Sequence, residues 1–448
     1  MVQSRSSARG AARIRNQIAT AVLAIAGFGL AAADAQTYMS VHAFCQQAGC
    51  TDGMNPWTTP PAVDISGNAQ FSGYLYGTTE QGGDNGEGTL YQLAPAKNGK
   101  YTFKRRYSFC QDPPACTNGG LPIGPLVQDA SGNLYGITTN GYAYELKTNA
   151  GRTTFTFVPL YLFGANGDES KGAIPTGGLT YKGKASGAPY DGTSPLYGMT
   201  GQGGANGQGV VFRLKPGKHG WTEDVLYNFC SQAGCTDGEE PTFAVLFVDS
   251  VGSLWGSTRY GGAYQGGVVF KLKPGKTLPW KQSFVYGFCS PANNCADGYG
   301  PETGVVMDQG GDLFGTTSLT TPNTSGGTVF RLHIAKSGAK VTQIHAFCQT
   351  DCRDGAAPIA PVVLDGAGNV YGTTTEAGAA GSGGTVFELV KANKYNLKVL
   401  HSFCSQPGCT DGLVPYAPVM IDSSGNLFGT TVGGGTAANA GVVFKLTP

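Results

Sequence analysis

Residues 403–446 read FCSQPGCTDGLVPYAPVMIDSSGNLFGTTVGGGTAANAGVVFKL. The signals run in a fixed order: an aromatic with its cysteine, a Cys-bounded loop, a Gly-x-x-Pro entry, a Gly-Asn turn, an aromatic-Gly step, a glycine-rich loop and a closing apolar strand. This order recurs upstream, and the aromatic-Gly step counts it. Tyr76-Gly77, Tyr135-Gly136, Tyr197-Gly198, Trp255-Gly256, Phe314-Gly315, Tyr371-Gly372 and Phe428-Gly429 mark seven copies, with glycines 57 to 62 residues apart. A period this long belongs to arrays whose units each hold several strands, since a solenoid rung is shorter.

Within a unit, apolar runs of four to eight residues rich in Val, Phe, Tyr and Thr are separated by Gly, Pro, Asn and Asp, which is how short strands read. In the sixth unit the strands are expected at 362–365 (a), 369–374 (b), 384–389 (c) and 397–403 (d). Four short antiparallel strands repeated radially describe a propeller blade. The seventh unit ends at Lys445-Leu446 without a strand d, while residues 38–45, YMSVHAFC, match the strand d segments IHAFC at 344–348 and LHSFC at 400–404. The expectation is an all-β, seven-bladed β-propeller whose N-terminal strand completes the last blade, so that no sheet edge stays unpaired.

Residues 1–35 are expected to be a secretory signal peptide. Arg5, Arg9, Arg13 and Arg15 precede an apolar run at 18–30, and Ala33-Asp34-Ala35 offers a small-x-small cleavage site. The run is short for a membrane span. No hydrophobic tail or sorting signal precedes Pro448. Residues 36–448 then form a single propeller domain, expected to be soluble, monomeric and exported, either secreted or periplasmic. A formal net charge of +1 gives no basic surplus for nucleic acid.

All 12 cysteines form local pairs: Cys45 with Cys50, Cys110 with Cys116, Cys230 with Cys235, Cys289 with Cys295, Cys348 with Cys352 and Cys404 with Cys409. Each pair lies between one unit's strand d and the next unit's strand a. In an exported chain this predicts one small disulfide per connection. Zinc would want tighter Cys-x-x-Cys pairs with further ligands. Unit three departs from the rule: Phe163-Gly164 carries no cysteine, and residues 182–194 are inserted between its strands a and b. Unit two shortens its strand b to c loop to Asn140-Gly141.

Propeller geometry puts the Cys loops and the glycine-rich b-to-c loops on one face, and the tight a-to-b and c-to-d turns on the other. Variable loops on a rigid scaffold are where binding is expected. Every unit enters strand a through x-Gly-x-x-Pro, with x being Asp52, Asn118, Lys171, Asp237, Asp297, Asp354 and Asp411. Two readings stand side by side. Asp-Gly and Asn-Gly are good turn formers whose side chains cap local amides. Alternatively the seven ring the mouth of the central channel and hold a polyhydroxylated ligand or a Ca²⁺ ion, or a pair of them catalyses. Just beyond, Trp57, Glu239, Glu240, Tyr299, Glu302, Arg353 and Tyr416 differ between units, as ligand-reading positions would. His42, His345 and His401 occupy a strand d position that is Tyr107, Tyr161, Tyr227 or Tyr286 elsewhere, and so read as packing between blades.

The unit Gly-Asn-Leu-Tyr/Phe-Gly-Thr-Thr, followed by Gly-Thr/Val-Val-Phe-Lys/Arg-Leu, resembles the bacterial GloVer tandem repeat over nearly all of residues 38–448. The resemblance implies an exported bacterial repeat protein, often one with a surface anchor, and it brings no catalytic residues. The leading functional expectation is therefore a non-enzymatic binding module whose Cys-loop face recognises an extracellular glycan, protein or small ligand. The alternatives are an enzyme acting on extracellular polysaccharide, a lactone or an ester through channel-mouth carboxylates, and a purely structural envelope protein. No cofactor is expected beyond the Ca²⁺ named above.

Overall fold

A computed structural model describes residues 36–447 apart from Thr242, Ala244, Pro322, Asn323 and Ser382, so the expected leader at 1–35 lies outside the described residues. The described strands form seven four-stranded antiparallel sheets. The ring closes as the repeat demands. Thr37–Ala43 pairs antiparallel with Val442–Thr447, from Thr37 opposite Thr447 to Ala43 opposite Val442, and completes the sheet of Met420–Ile421 and Leu427–Thr431.

In the sixth blade, strands b, c and d lie at Val370–Thr374, Thr385–Val390 and Asn396–Ser402, each within a residue of expectation, but strand a shrinks to Val363–Leu364. The inner strand sits where blades converge, and there is little room for a long ladder. Blades two and three are exceptions, with inner strands Pro122–Gln128 and Ala173–Tyr181. Their backbones touch: a Cβ on Gly124 would run into the Gly177 carbonyl oxygen, so only glycine allows that approach.

The aromatic-Gly step has a steric cause. Each glycine lies directly across the ladder from an aromatic of strand c, as Gly77 from Tyr91 and Gly429 from Phe444. A Cβ on any of the seven would stand 2.7 Å or less from that ring. The strand c rings Tyr91, Tyr144, Phe212, Phe270, Phe330, Phe387 and Phe444 are fully buried. Each meets the phenylalanine just after strand d of the preceding blade, from Phe163–Phe212 at 4.6 Å to Phe109–Tyr144 at 5.4 Å between centroids. The core is thus a circle of aromatic contacts between blades, each worth about 0.5–1.5 kcal/mol beyond area burial.

Backbone clamps reinforce these contacts. The residue before the entry proline has positive φ in every unit, including Leu121, Ile174 and Val414, at 53, 53 and 57°. Non-glycine residues hold that conformation only where surroundings over-determine it. Val414 shows what does so: its N–H donates to the Gly383 carbonyl of the preceding blade (2.8 Å), and its carbonyl accepts from Val432 N–H (3.0 Å). Asn55 repeats the arrangement across the closure, on Ala440 and Glu80.

Candidate functional site

The Cys loops form the six expected disulfides. Cys45 is bonded to Cys50, Cys110 to Cys116, Cys230 to Cys235, Cys289 to Cys295, Cys348 to Cys352 and Cys404 to Cys409, and no described cysteine is free. The pairing follows the spacing, but the backbone at the bridges does not follow from it. Both members of every pair have positive φ, from 45° at Cys116 through 52° at Cys50, 54° at Cys352 and 58° at Cys295 to 65° at Cys289. A residue other than glycine keeps that conformation only where its loop imposes it. The cysteines are therefore loop-shaping residues.

The glycine-rich b-to-c loops share this face. Gly262 N–H donates to the Cys235 carbonyl and Gly435 N–H to that of Cys409, both at 3.0 Å. The loop face is thus fixed from residues adjacent in space but tens of positions apart in sequence.

Of the two readings of the ring residues, the hydrogen bonds fit the capping one for the five aspartates and Asn118. Asp52, Asp237, Asp297 and Asp411 are buried, Asp354 and Asn118 half-buried, and Lys171 exposed. Their carboxylates turn into the Cys loops and onto outer strand d, not toward the channel mouth. Asp411 accepts from Ser405 N–H (3.0 Å), Ser405 Oγ (2.7 Å) and Gln406 N–H (3.3 Å). Asp237 does the same with Ser231 and Gln232, and takes a fourth bond from Tyr227 OH at 2.7 Å. Asp52, Asp297 and Asp354 accept amides of their own loops, and Asn118 accepts from Gln111 N–H at 2.8 Å. Their place at the rim has a simple cause. The inner strand starts about ten residues after the aspartate, and that length of chain is needed to travel from the rim to the centre.

The strand d histidines belong to the same arrangement. His401 faces Asp411 at 3.2 Å while stacking on Tyr38, and His42 stacks on Phe103 with centroids 3.7 Å apart. Burial pulls the His42 pKa down to about 4, against the opposing pull of Asp52. His42 is therefore neutral and aromatic in its role at ordinary pH.

What reaches the centre of this face is the segment beyond the entry proline. Trp57 and Tyr416 meet edge to face at 5.6 Å, and Trp57 meets Phe243 at the same distance. Beneath them Thr58, Pro125, Phe243, Ile359, Tyr416 and Pro418 converge on a gap of about 20 Å³, space for about one water. The three rings make an aromatic floor over this gap. Beside it, Glu302 is 7% exposed, accepts from Ser318 Oγ (2.7 Å) and faces Arg259 Nε at 3.3 Å. Burial raises the Glu302 pKa, while Ser318 and Arg259 pull it down. Arg259 also lies over the Tyr260 ring, 4.9 Å from its centroid, and Tyr260 meets Tyr299 edge on. The Tyr416 hydroxyl is pushed up by burial, then by Glu302 and Glu376.

Of the expected ligand readers, then, Trp57, Tyr416 and Glu302 lie around one floor, and Glu240 is close enough to Glu302 to raise its pKa further. Arg353 lies apart, exposed and paired with Asp351 at 3.1 Å. The sequence reading missed Phe243, Arg259 and Tyr260. Arg259 follows strand b where other units place Glu80, Thr139, Gly201, Ser318, Thr375 and Val432, so aligning units on the aromatic-Gly step would have flagged it as variable.

Among the described residues, the one group of three His, Cys, Asp or Glu ligand atoms within 4.8 Å of one another is Cys230, Cys235 and Glu239. Both of its sulfurs are committed to a disulfide.

A profile described as the Gloeobacter/Verrucomicrobia repeat matches residues 182–353 and 282–448, together more than half of the chain. No curated protein matches. Among solved structures, the extracellular domain of a hybrid two-component system from B. thetaiotaomicron is similar at TM-score 0.52 and 13% identity, over 92% of this chain and 41% of that one. PorZ, a surface component of the type-IX secretion system of Porphyromonas gingivalis, aligns at TM-score 0.45 and 14% identity over 83% and 45%. The Dos1 propeller aligns at 0.43 and 9% over 83% and 74%. The chain thus spans less than half the length of the first of these structures. At 13% identity the first of these likenesses speaks for the fold alone. Among the described residues no helix is long and apolar enough to cross a membrane.

Proposed function

The chain belongs to the Gloeobacter/Verrucomicrobia repeat family, and on that footing we propose that it is an exported, non-enzymatic binding module whose Cys-loop face takes an extracellular glycan. The observation that carries this reading is the aromatic floor of Trp57, Phe243 and Tyr416 with the Glu302–Arg259 pair at its edge. Sugar rings offer apolar faces to aromatic rings and hydroxyls to carboxylate and guanidinium groups. Trp57, Glu302 and Tyr416 directly follow the entry proline in three different blades, and Phe243 lies two residues after that of a fourth. The backbone clamps on the residue before each proline hold this segment, so the surface is formed before any ligand arrives. Six disulfides in the loops around it support an oxidising location. The aspartates expected at the mouth serve this face indirectly, by fixing the loops.

The test is a glycan array with the folded, oxidised protein, followed by tryptophan-fluorescence titration of each hit. Trp57→Ala and Glu302→Gln should each weaken binding tenfold or more while the melting midpoint stays within a few degrees. An array without hits, or hits that both variants retain, would sink the reading. A second reading keeps some support because Glu302 is buried with a raised pKa and Glu240 nearby, a pairing that acid–base hydrolysis of polysaccharide or an ester uses. Turnover of any polysaccharide, lactone or ester, abolished by Glu302→Gln, would favour it over simple binding.

A further inference from the structure

Blade three's insertion reaches the other end of the channel. Its turn Lys184–Ser186 packs against the inner strand Phe247–Val248 of blade four and lies over a cavity of about 350 Å³. Leu246, Val248, Val305, Met307, Val363 and Leu364 make that cavity apolar, and Thr180 and Thr303 are its hydroxyl groups. Val245 and Pro361 border both this cavity and the gap beneath the aromatic floor, so the two adjoin.

One charged group lines this cavity, Lys184. Its Nζ donates to the Leu179 carbonyl at 3.3 Å, and no carboxylate among the described residues pairs with it. Asp64 and Asp422 line the neighbouring cavity that Lys184 also borders. Both are already engaged, Asp64 with Arg152, Ser66 and Gln128, and Asp422 with the Ser424 and Asn426 amides. An ammonium has three donors, and one carbonyl at the long end of hydrogen-bond distance leaves it under-satisfied.

We propose that this cavity is a second binding site, for a small monocarboxylate with an apolar body, whose carboxylate pairs with Lys184 and whose hydrocarbon part fills the space between the inner strands of blades three to six. The volume falls within the range of small-molecule pockets, about 300–1,000 Å³. Lys184 is half-buried, and desolvation lowers its pKa to about 8, so the amine is mainly charged at neutral pH and has no counter-ion among the described residues. A carboxylate supplies it, and the apolar walls favour a chain or ring behind that carboxylate. The site is independent of the glycan reading, since it opens on the opposite face.

The experiment is calorimetric titration of the full folded protein with sodium octanoate, with 1-octanol as the uncharged probe. Binding of octanoate at one site is expected, at least tenfold tighter than octanol, weakened tenfold or more by Lys184→Met and kept by Lys184→Arg. Trp57→Ala should leave it unchanged, which separates its fate from that of the other face. Absence of octanoate binding at millimolar concentration, equal affinity for octanol, or full affinity in Lys184→Met would each overturn the proposal. Should Lys184→Met fail to fold, the octanoate-to-octanol ratio on the unaltered protein decides alone.

Discussion

Blades four to seven and blades one to three solve the same problem in different ways. In the first group each connection carries a disulfide, each staple is an aspartate, and each inner strand is two residues long. In the second group the units diverge. Blade one adds the turn Ala69–Phe71, blade two extends its inner strand and sends Arg152 across to blade one, and blade three drops the disulfide and gains the insertion. The family profile starts at residue 182 and so covers the regular group. The difference teaches that local, repeated staples suffice where units are alike, and that long side chains between units take over where they are not.

Arg152 is the sharpest case, and its loss should have the largest effect. It is 2% exposed, pairs with Asp64, donates to Ser66 Oγ at 2.6 Å, and covers the Phe71 ring at 3.9 Å. Arg152→Ala strands a buried carboxylate and should cost about 3–5 kcal/mol. The regular counterpart is Arg331 on Asp312, whose side chain is 40% exposed. Its removal should cost about 1 kcal/mol or less. Denaturant midpoints of the two variants measure the contrast, and equal losses would erase it.

Glu223 gives the next effect, and its sign is opposite to that of most acid groups. It sits in blade three, 7% exposed, with neither carboxylate oxygen hydrogen-bonded among the described residues. Burial pushes its pKa from 4.5 up to about 7, helped by Asp224 and Asp168 and opposed by Tyr161 and Lys171. Below about pH 4.5 both folded and unfolded chains hold the proton, and there is no penalty. Between that pH and 7 the unfolded chain releases it while the folded one keeps it, so stability falls as pH rises, by at most about 3 kcal/mol, and levels off above 7. Midpoints measured from pH 4 to 8 should show this decline, and Glu223→Gln should flatten it. A slope that survives the substitution would assign it to other groups.

These two residues also mark where the sequence stopped being legible. Seven blades, the closure and all six disulfides could be read because each unit repeats the same signals, so each unit checks the reading of the others. Arg152 could not be read: it lies in a c-to-d turn like any exposed basic residue, and its partner is 88 positions away. Glu223 occupies a strand d position filled by Gln282, Val341 and Leu397 in other blades, which a comparison of units would flag as odd without saying why. The ring aspartates were found by pattern, but the pattern left open whether they cap their loops or face the channel mouth, because it fixes spacing along the chain and not the radial path. Trp57, Glu302 and Tyr416, the residues proposed for the site, were legible as variable positions after a fixed proline. Lys184 was legible only as part of an insertion.

The staple itself offers the finest comparison, since the chain already contains the variant. Unit two has Asn118 where five units have aspartate, and its amide oxygen still accepts Gln111 N–H at 2.8 Å. Asp411 makes four such contacts, with Ser405 N–H, Ser405 Oγ, Gln406 N–H and His401. Asp411→Asn keeps the shape and one good acceptor, but turns the other oxygen into a donor facing Ser405 N–H. The expected loss is about 1–2 kcal/mol, the range between a neutral hydrogen bond and one to a charged group. The disulfide between Cys404 and Cys409 closes the same loop and can hold part of its shape. Reducing that bridge should therefore enlarge the effect of Asp411→Asn, and a double-mutant cycle with Cys404→Ser and Cys409→Ser would read the coupling directly. Strict additivity would mean that carboxylate and disulfide act on separate parts of the loop, and blade three, which has neither, would then be missing two independent devices instead of one.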